Sequence, residues 1–254
     1  MTTKTTIITG ATSGIGKETA LGLAKKDHSV YMLVRDTGKG EQLRKELIAE
    51  TGNNSIYVIA CDLADLESVN RAADELKTKL SAINVLINNA GGIFAKRELS
   101  KDGFEMTFAT NHLGHFALTM HLMPLLENGQ ARVINVSSQA YKMGKPNFDD
   151  LQRERHYSAF KAYGTAKLFN IYFTKSLSEK YSGKGVTSFA LHPGLVKSGF
   201  GAELSGFGKL LMILASPFLL LLAKVKLVLQ LLIQLKLLIQ LKLLTQLKWL
   251  TQLK

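Results

Sequence analysis

Cysteine is almost missing: Cys61 is the single one in 254 residues. An internal disulfide is excluded, and with no Cys/His cluster around Cys61 no metal site is expected. A reducing compartment fits, and the cytoplasm is the expected setting. The opening stretch MTTKTTIITG has no charged run leading into an apolar one, so it does not read as a signal peptide. Acidic residues are absent from 204–254, where seven lysines stand alone. The net charge of +12 is therefore local, since the first 203 residues set 25 basic against 20 acidic side chains, a balance of +5. Those tail lysines are interleaved with leucine rather than aromatics, and no nucleic-acid motif is present, so nucleic acid is not an expected partner.

What is present is apolar and periodic. Hydrophobic residues make up 46% of the chain, enough for one α/β domain with a sizeable core. Short β-rich runs at Thr5–Thr9, Ser29–Val34, Ile56–Cys61, Val85–Asn88, Arg132–Val136 and Val186–Leu191 alternate with longer helical patterns. The helices are expected near Gly16–Lys26, Lys39–Thr51, Leu66–Leu80, Phe104–Leu126 and Ala159–Tyr181. Crossovers of this length imply a parallel sheet covered on both faces, a doubly wound Rossmann-type fold with strand order 3-2-1-4-5-6.

Three regions follow from composition: 1–203, 204–224 and 225–254. In the second, Leu210 to Ala223 is uncharged for 14 residues and interrupted by Pro217. It is too short for a comfortable bilayer span and reads as an apolar lid over a substrate pocket or a segment on a membrane surface. The third ends in LLIQLK, LLIQLK, LLTQLK and WLTQLK from Leu231 onward, a locally duplicated segment rather than stacked modules. Its lysines spread around a helix but share one face of a strand; residue propensity favours the helix.

The first strand runs into Thr9-Gly10-Ala11-Thr12-Ser13-Gly14-Ile15-Gly16 just before a helix. Glycines there allow a tight turn and close approach of a pyrophosphate to free N–H groups at the helix N-terminus, which makes Gly10, Ser13, Gly14, Ile15 and Gly16 candidate dinucleotide ligands. A plain strand-to-helix connection is the competing reading. At the end of the second strand stands Arg35, where an arginine can pair with the 2′-phosphate of NADP; Lys39 is close enough to assist, and either can be a solvated charge. Asp62 and Leu63 can meet an adenine amino group, although an aspartate here is also an ordinary helix N-cap. Asn88-Asn89-Ala90-Gly91 follows the fourth strand, where Asn89, Ala90 and Gly91 allow backbone approach at the sheet edge or simply form a turn.

Taken with Asn111, Ser138, Tyr163-Gly164-Thr165-Ala166-Lys167 and His192-Pro193-Gly194, these residues resemble the short-chain dehydrogenase/reductase family from residue 5 to about 200. Pro146 to Gln152, the extra residues between Ser138 and Tyr163, and Arg35 resemble its retinol dehydrogenase and WW-domain oxidoreductase branch. The resemblance implies NADP(H)-linked hydride transfer to or from a lipophilic carbonyl or alcohol such as retinal or a long-chain aldehyde. It also implies a further helix and a seventh strand, neither recognisable here. The alternative class is an inactive NADP-binding or membrane-associated module whose altered C-terminal region spoils the pocket; peripheral contact with an intracellular membrane fits the tail's composition.

The spacing of Tyr163 and Lys167 puts both on one helical face. A free phenol titrates near about 10, and a neighbouring ammonium is expected to lower it. The remaining ammonium protons can hold nicotinamide ribose hydroxyls. Ser138, just beyond the fifth strand, can donate to a substrate carbonyl oxygen, with Ser137 its competitor. Asn111 can bond a water linking Lys167 to solvent, or be a satisfied helix amide. Pro193 and Gly194 turn the chain over the cofactor, and His192 reads as structural. His112 and His115 share a helical face but have no third ligand.

Overall fold

The β-branched runs become the strands β1 (Thr5–Thr9), β2 (Ser29–Val34), β3 (Ile56–Ala60), β4 (Val85–Asn88), β5 (Arg132–Val136) and β6 (Thr187–Leu191). In the computed structural model, which describes residues 3–194, they form one parallel sheet in the order β3-β2-β1-β4-β5-β6, as the sequence led us to expect. Side chains alternate between its faces. Ile7, Leu86 and Val133 are register partners across β1, β4 and β5 and enter one core, whereas their neighbours Ile8, Ile87 and Ile134 enter the other. Burying each such side chain contributes about 1.5–3 kcal/mol.

Helices α1 (Gly14–Ala24) and α2 (Thr37–Thr51) cover the second face through Ala20, Ala24, Leu43 and Leu47. The first face is covered by α3 (Leu66–Lys79), α5 (Gly114–His121), α6 (Met123–Asn128) and α7 (Ala159–Tyr181). Caps set their starts. The Asp36 carboxylate accepts from the Lys39 amide at 3.0 Å, opening α2 two residues before the expected start. Asp65, not Asp62, caps α3, accepting from the amides of Glu67 and Ser68. The Asp62 carboxylate instead closes a tight turn on the Ala64 amide at 2.9 Å.

The one expected helix over Phe104–Leu126 is three. The Glu105 carboxylate caps α4 (Met106–Phe108), bonding the amides of Thr107 and Phe108 at 2.8 Å each. A π-helical turn follows over Ala109–Leu113. Here side-chain amides take up main-chain carbonyls: Asn111 Nδ2 donates to Thr107 O and Asn170 Nδ2 to Asn111 O, as befits a place where the regular ladder is interrupted. Pro124, which has no N–H to give, sits in the first turn of α6, so a new helix starts there.

Among the described residues no helix is long and apolar enough to cross a membrane, and no three or more His, Cys, Asp or Glu are grouped to hold a metal ion. The expected lid at 204–224 and repeat at 225–254 lie outside the described residues.

Candidate active site

All six strands are parallel, so their carboxyl ends share one edge, and the chain order reverses between β1 and β4. A crevice at this reversal is where doubly wound sheets take ligands. The glycine turn lies in it. Gly10 has a φ of +66°, and a Cβ there would stand 2.8 Å from the Ala90 Cα. One on Gly16 would overlap the Gly10 carbonyl oxygen. Only glycine fits both places.

The turn is fixed from behind by Asn89, whose Nδ2 donates to Thr9 O at 2.8 Å and Gly10 O at 3.2 Å. The amides of Asn89 and Ala90 both donate to Thr9 Oγ1 at 3.0 Å. Asn89 and Ala90 thus shape the turn, leaving its outer face to a ligand. On that face Gly14 and Ile15 begin α1, whose first-turn amides have no helical partner. Ser13 holds the N-cap position, exposed, without using its hydroxyl as a cap. Ile15 also lines a small apolar hollow with Thr19, Ile87, Ile134 and Leu191.

Arg35 emerges exposed at the end of β2 and makes no ion pair among the described residues. Lys39 differs, because its ammonium lies 3.4 Å from the Asp36 carboxylate. The Lys39 amide, and then its ammonium, hold the Asp36 carboxyl below the usual carboxylate range. Asp62 stands after β3 at the same edge, but Leu63 turns its side chain into the core.

The two serines after β5 separate cleanly. Ser137 is buried and donates to Lys167 O at 2.8 Å, tying α7 to the sheet. Ser138 hydrogen-bonds the Tyr163 hydroxyl, an interaction that favours phenolate, and accepts from the Ala140 amide at 3.2 Å. Tyr163 packs with Ile93, Ala140 and Ala159. Lys167, only 3% exposed, lies with Nζ 5.4 Å from the Tyr163 ring centre and donates to Val136 O at 3.0 Å.

The electrostatic balance departs from the sequence expectation. Burial pushes the Tyr163 phenol up to about 12, with the Ser138 bond acting against it, rather than Lys167 drawing it down. Burial also brings Lys167 down to about 8. Low polarisability around both groups penalises either charge, and this outweighs their proximity.

Asn111 is fully buried beside Gly91 and Lys167. Its Nδ2 donates to Gly92 O and Thr107 O at 2.9 Å each, and its Oδ1 accepts from the Gly92 amide at 3.2 Å. The side chain therefore latches the loop after β4. Pro193 and Gly194 follow β6, with Gly194 at a φ of +78°. His192 Nδ1 accepts from the Gln139 amide at 3.3 Å, a structural tie in keeping with its reading.

Sequence reasoning missed Asn170. Its Nδ2 donates to Asn111 O at 3.1 Å and to Val136 O at 3.3 Å, the carbonyl that Lys167 also uses. The available signal was a polar residue three positions after Lys167, on the same helical face.

A parallel sheet of this order, a glycine turn entering α1 and a Ser-Tyr-Lys cluster across the crevice define a Rossmann protein built for dinucleotide chemistry. The chain belongs to the short chain dehydrogenase family, whose model matches residues 4–206. It is 44% identical over 196 residues to retinol dehydrogenase 11 of Mus musculus and 43% to retinol dehydrogenase 12 of Homo sapiens, in both cases over 77% of this chain and 62% of the relative. The chain thus spans less than two thirds of the length of these relatives. Among solved structures, a protein from Mycobacterium Paratuberculosis is 41% identical with a TM-score of 0.66, covering 75% of this chain and 68% of that one. A metagenomic short-chain oxidoreductase in complex with NADP is 25% identical with a TM-score of 0.61, covering 75% and 82%.

Proposed function

We propose that the chain is an NADP(H)-dependent oxidoreductase moving a hydride between nicotinamide and a small lipophilic carbonyl or alcohol such as retinal or a long-chain aldehyde. The observation that carries this reading is the hydrogen-bonded Ser138–Tyr163 pair with buried Lys167 beside it, across the crevice from the glycine turn. The retinol dehydrogenase relatives and the NADP-bound neighbour support the substrate and cofactor class.

The residues fit the cofactor. Gly10, Gly14, Gly16 and Ser13, with the first-turn amides of α1, would hold the pyrophosphate; Arg35 would meet the 2′-phosphate; Asp62 and Leu63 would meet the adenine. Ile15, Asn89 to Gly91, Pro193 and Gly194 would border its remaining length. When bound, nicotinamide supplies the hydride in reduction and receives it in oxidation. Ser138 donates to the substrate oxygen and stabilises the charge growing there. Tyr163 gives that oxygen its proton, and in the reverse direction its phenolate takes one back. Lys167 would hold ribose hydroxyls with the protons not directed at Val136 O. Asn111 supports the relay by fixing the Gly92 loop beside Lys167.

Tyr163 at about 12 is a neutral proton donor across the physiological range. Lys167, lowered to about 8, is charged below that pH and neutral above it. Reductive kcat/KM is therefore expected to be level in mildly acid solution and to fall on the alkaline side with a midpoint of about 8. A first alkaline limb near about 10 or above would instead report a lysine in its ordinary range.

NADPH consumption with retinal, long-chain aldehydes and simple ketones tests the whole reading. Turnover on the lipophilic carbonyls is expected; NADPH binding without turnover on any would favour an inactive module. We include in the proposal that residues 225–254, leucine-rich with lysines and no acid, give peripheral adsorption to anionic intracellular membrane. The full chain is expected to float with phosphatidylserine liposomes, and a chain ending at Lys224 to stay behind. Equal flotation of both would overturn that assignment.

A further inference from the structure

His115 is only 2% exposed, on α5. Its hydrogen bonds run to both halves of the site. Nε2 lies 2.9 Å from Thr9 Oγ1, the atom on which the glycine turn and the start of the next loop converge. Nδ1 lies 3.3 Å from the backbone oxygen of Asn111 in the π-helical turn.

Counting protons fixes the direction of this bridge. The two acceptor positions of Thr9 Oγ1 are taken by the amides of Asn89 and Ala90, both at 3.0 Å. Its single proton can go to Ile87 O at 3.4 Å or to His115 Nε2 at 2.9 Å, and the shorter, better bond is to the histidine. At the other end Nδ1 faces a carbonyl oxygen, which can only accept, so Nδ1 carries the ring proton. Both ends demand the same neutral tautomer, and burial, which brings His115 down to about 3, keeps it neutral. The Asn111 oxygen also accepts from Asn170, which shares Val136 O with Lys167. One chain of bonds thus runs from the β4 loop amides through Thr9, His115, Asn111 and Asn170 to the carbonyl that seats the Lys167 ammonium.

We propose that His115 is a positioning residue that ties the nucleotide-binding turn to the Lys167 seat, through Thr9 on one side and the Asn111 carbonyl on the other. This rests on the oxidoreductase reading above. It acts through its neighbours and exchanges no proton with substrate.

Two conservative variants cut the bridge at opposite ends. In His115→Asn the amide nitrogen falls near the Nδ1 position and still donates to Asn111 O, while Thr9 loses its histidine acceptor and is left with the longer contact to Ile87 O. In His115→Gln the longer amide reaches the Nε2 position and still accepts from Thr9, while Asn111 O loses the histidine donor and keeps only Asn170. In the full-length chain the Asn variant is expected to weaken NADPH binding about 3- to 10-fold with kcat within about twofold; the Gln variant is expected to keep NADPH affinity within about twofold and lose about tenfold in kcat. His115→Leu should show both losses. NADPH affinity by fluorescence titration, kcat with retinal and the thermal midpoint are read for each. Parallel losses in the Asn and Gln variants, no loss in either, or the opposite split would overturn the proposal, since a residue that merely fills space cannot separate the two constants. A wild-type chain that binds NADPH but does not turn over condemns the oxidoreductase reading alone, and the affinity contrast between the two variants still decides the role of His115.

Discussion

Replacing Tyr163 with phenylalanine is expected to leave NADPH affinity within about twofold and to lower turnover by about 10²- to 10⁴-fold, the usual range for losing a positioned proton donor. The ring can stay. Tyr163 is 8% exposed and packs against Ile93, with Ala140 and Ala159 beside it, and phenylalanine keeps every one of those contacts. What goes is a single hydroxyl, the one bonded to Ser138. That hydroxyl remains protonated well above neutral pH, because burial pushes it up to about 12. Ser138 is a far weaker acid, and the Lys167 ammonium is seated on Val136 O at 3.0 Å with its remaining protons assigned to the ribose hydroxyls. Parallel measurement of NADPH affinity and of retinal reduction checks the outcome. Near-normal turnover in the variant would remove Tyr163 from the proton-transfer role, and a loss of affinity equal to the loss in rate would mark the hydroxyl as a binding group.

The strands and their order were legible because buried parallel strands write themselves as short β-branched runs between turn residues. Thr5–Thr9, Ser29–Val34, Val85–Asn88 and Arg132–Val136 begin and end where the sequence places them. The stretch around Asn111 was not legible, since its breaks depend on side chains reaching the backbone: Glu105 onto two amides, Asn111 and Asn170 onto two carbonyls. No periodicity encodes these. The choice between Ser137 and Ser138 was equally hidden. Adjacent residues leaving a strand point opposite ways, and only the position of α7 decides which meets Lys167 O and which meets Tyr163. Spacing correctly put Tyr163 and Lys167 on one helical face, but the direction of their titration follows from burial, a property of the whole fold. The partners Thr9 and His115 stand 106 residues apart in sequence, and the two histidines drew notice only as an incomplete metal pair.

Cofactor choice is expected to reside in Arg35 alone. Arg35→Ala should weaken NADPH binding about 10- to 100-fold and leave NADH within about twofold, in line with the loss of charged hydrogen bonds to a phosphate that only NADPH carries. Two cations, Arg35 and Lys39, and one anion, Asp36, crowd this end of β2, and their geometry assigns the roles. The Asp36 carboxylate would repel a phosphate, but it faces back onto its own helix, accepting from the Lys39 amide at 3.0 Å with the Lys39 ammonium 3.4 Å away. Lys39 is thereby matched to Asp36 within one helical turn. Exposed pairs of this kind contribute little and exchange partners readily, so Lys39→Ala should cost no more than about threefold with either cofactor. Arg35 has no such companion among the described residues and presents a planar fork of donors that suits phosphate oxygens. Lysine in its place should recover only part of the NADPH affinity, because an ammonium cannot make the paired contact. The comparison of both cofactors against wild type, Arg35→Ala, Arg35→Lys and Lys39→Ala decides the matter. If alanine at 35 weakens NADPH and NADH equally, the guanidinium does not read the 2′-phosphate; if Lys39→Ala produces the larger loss of NADPH affinity, the phosphate sits at the start of α2 instead.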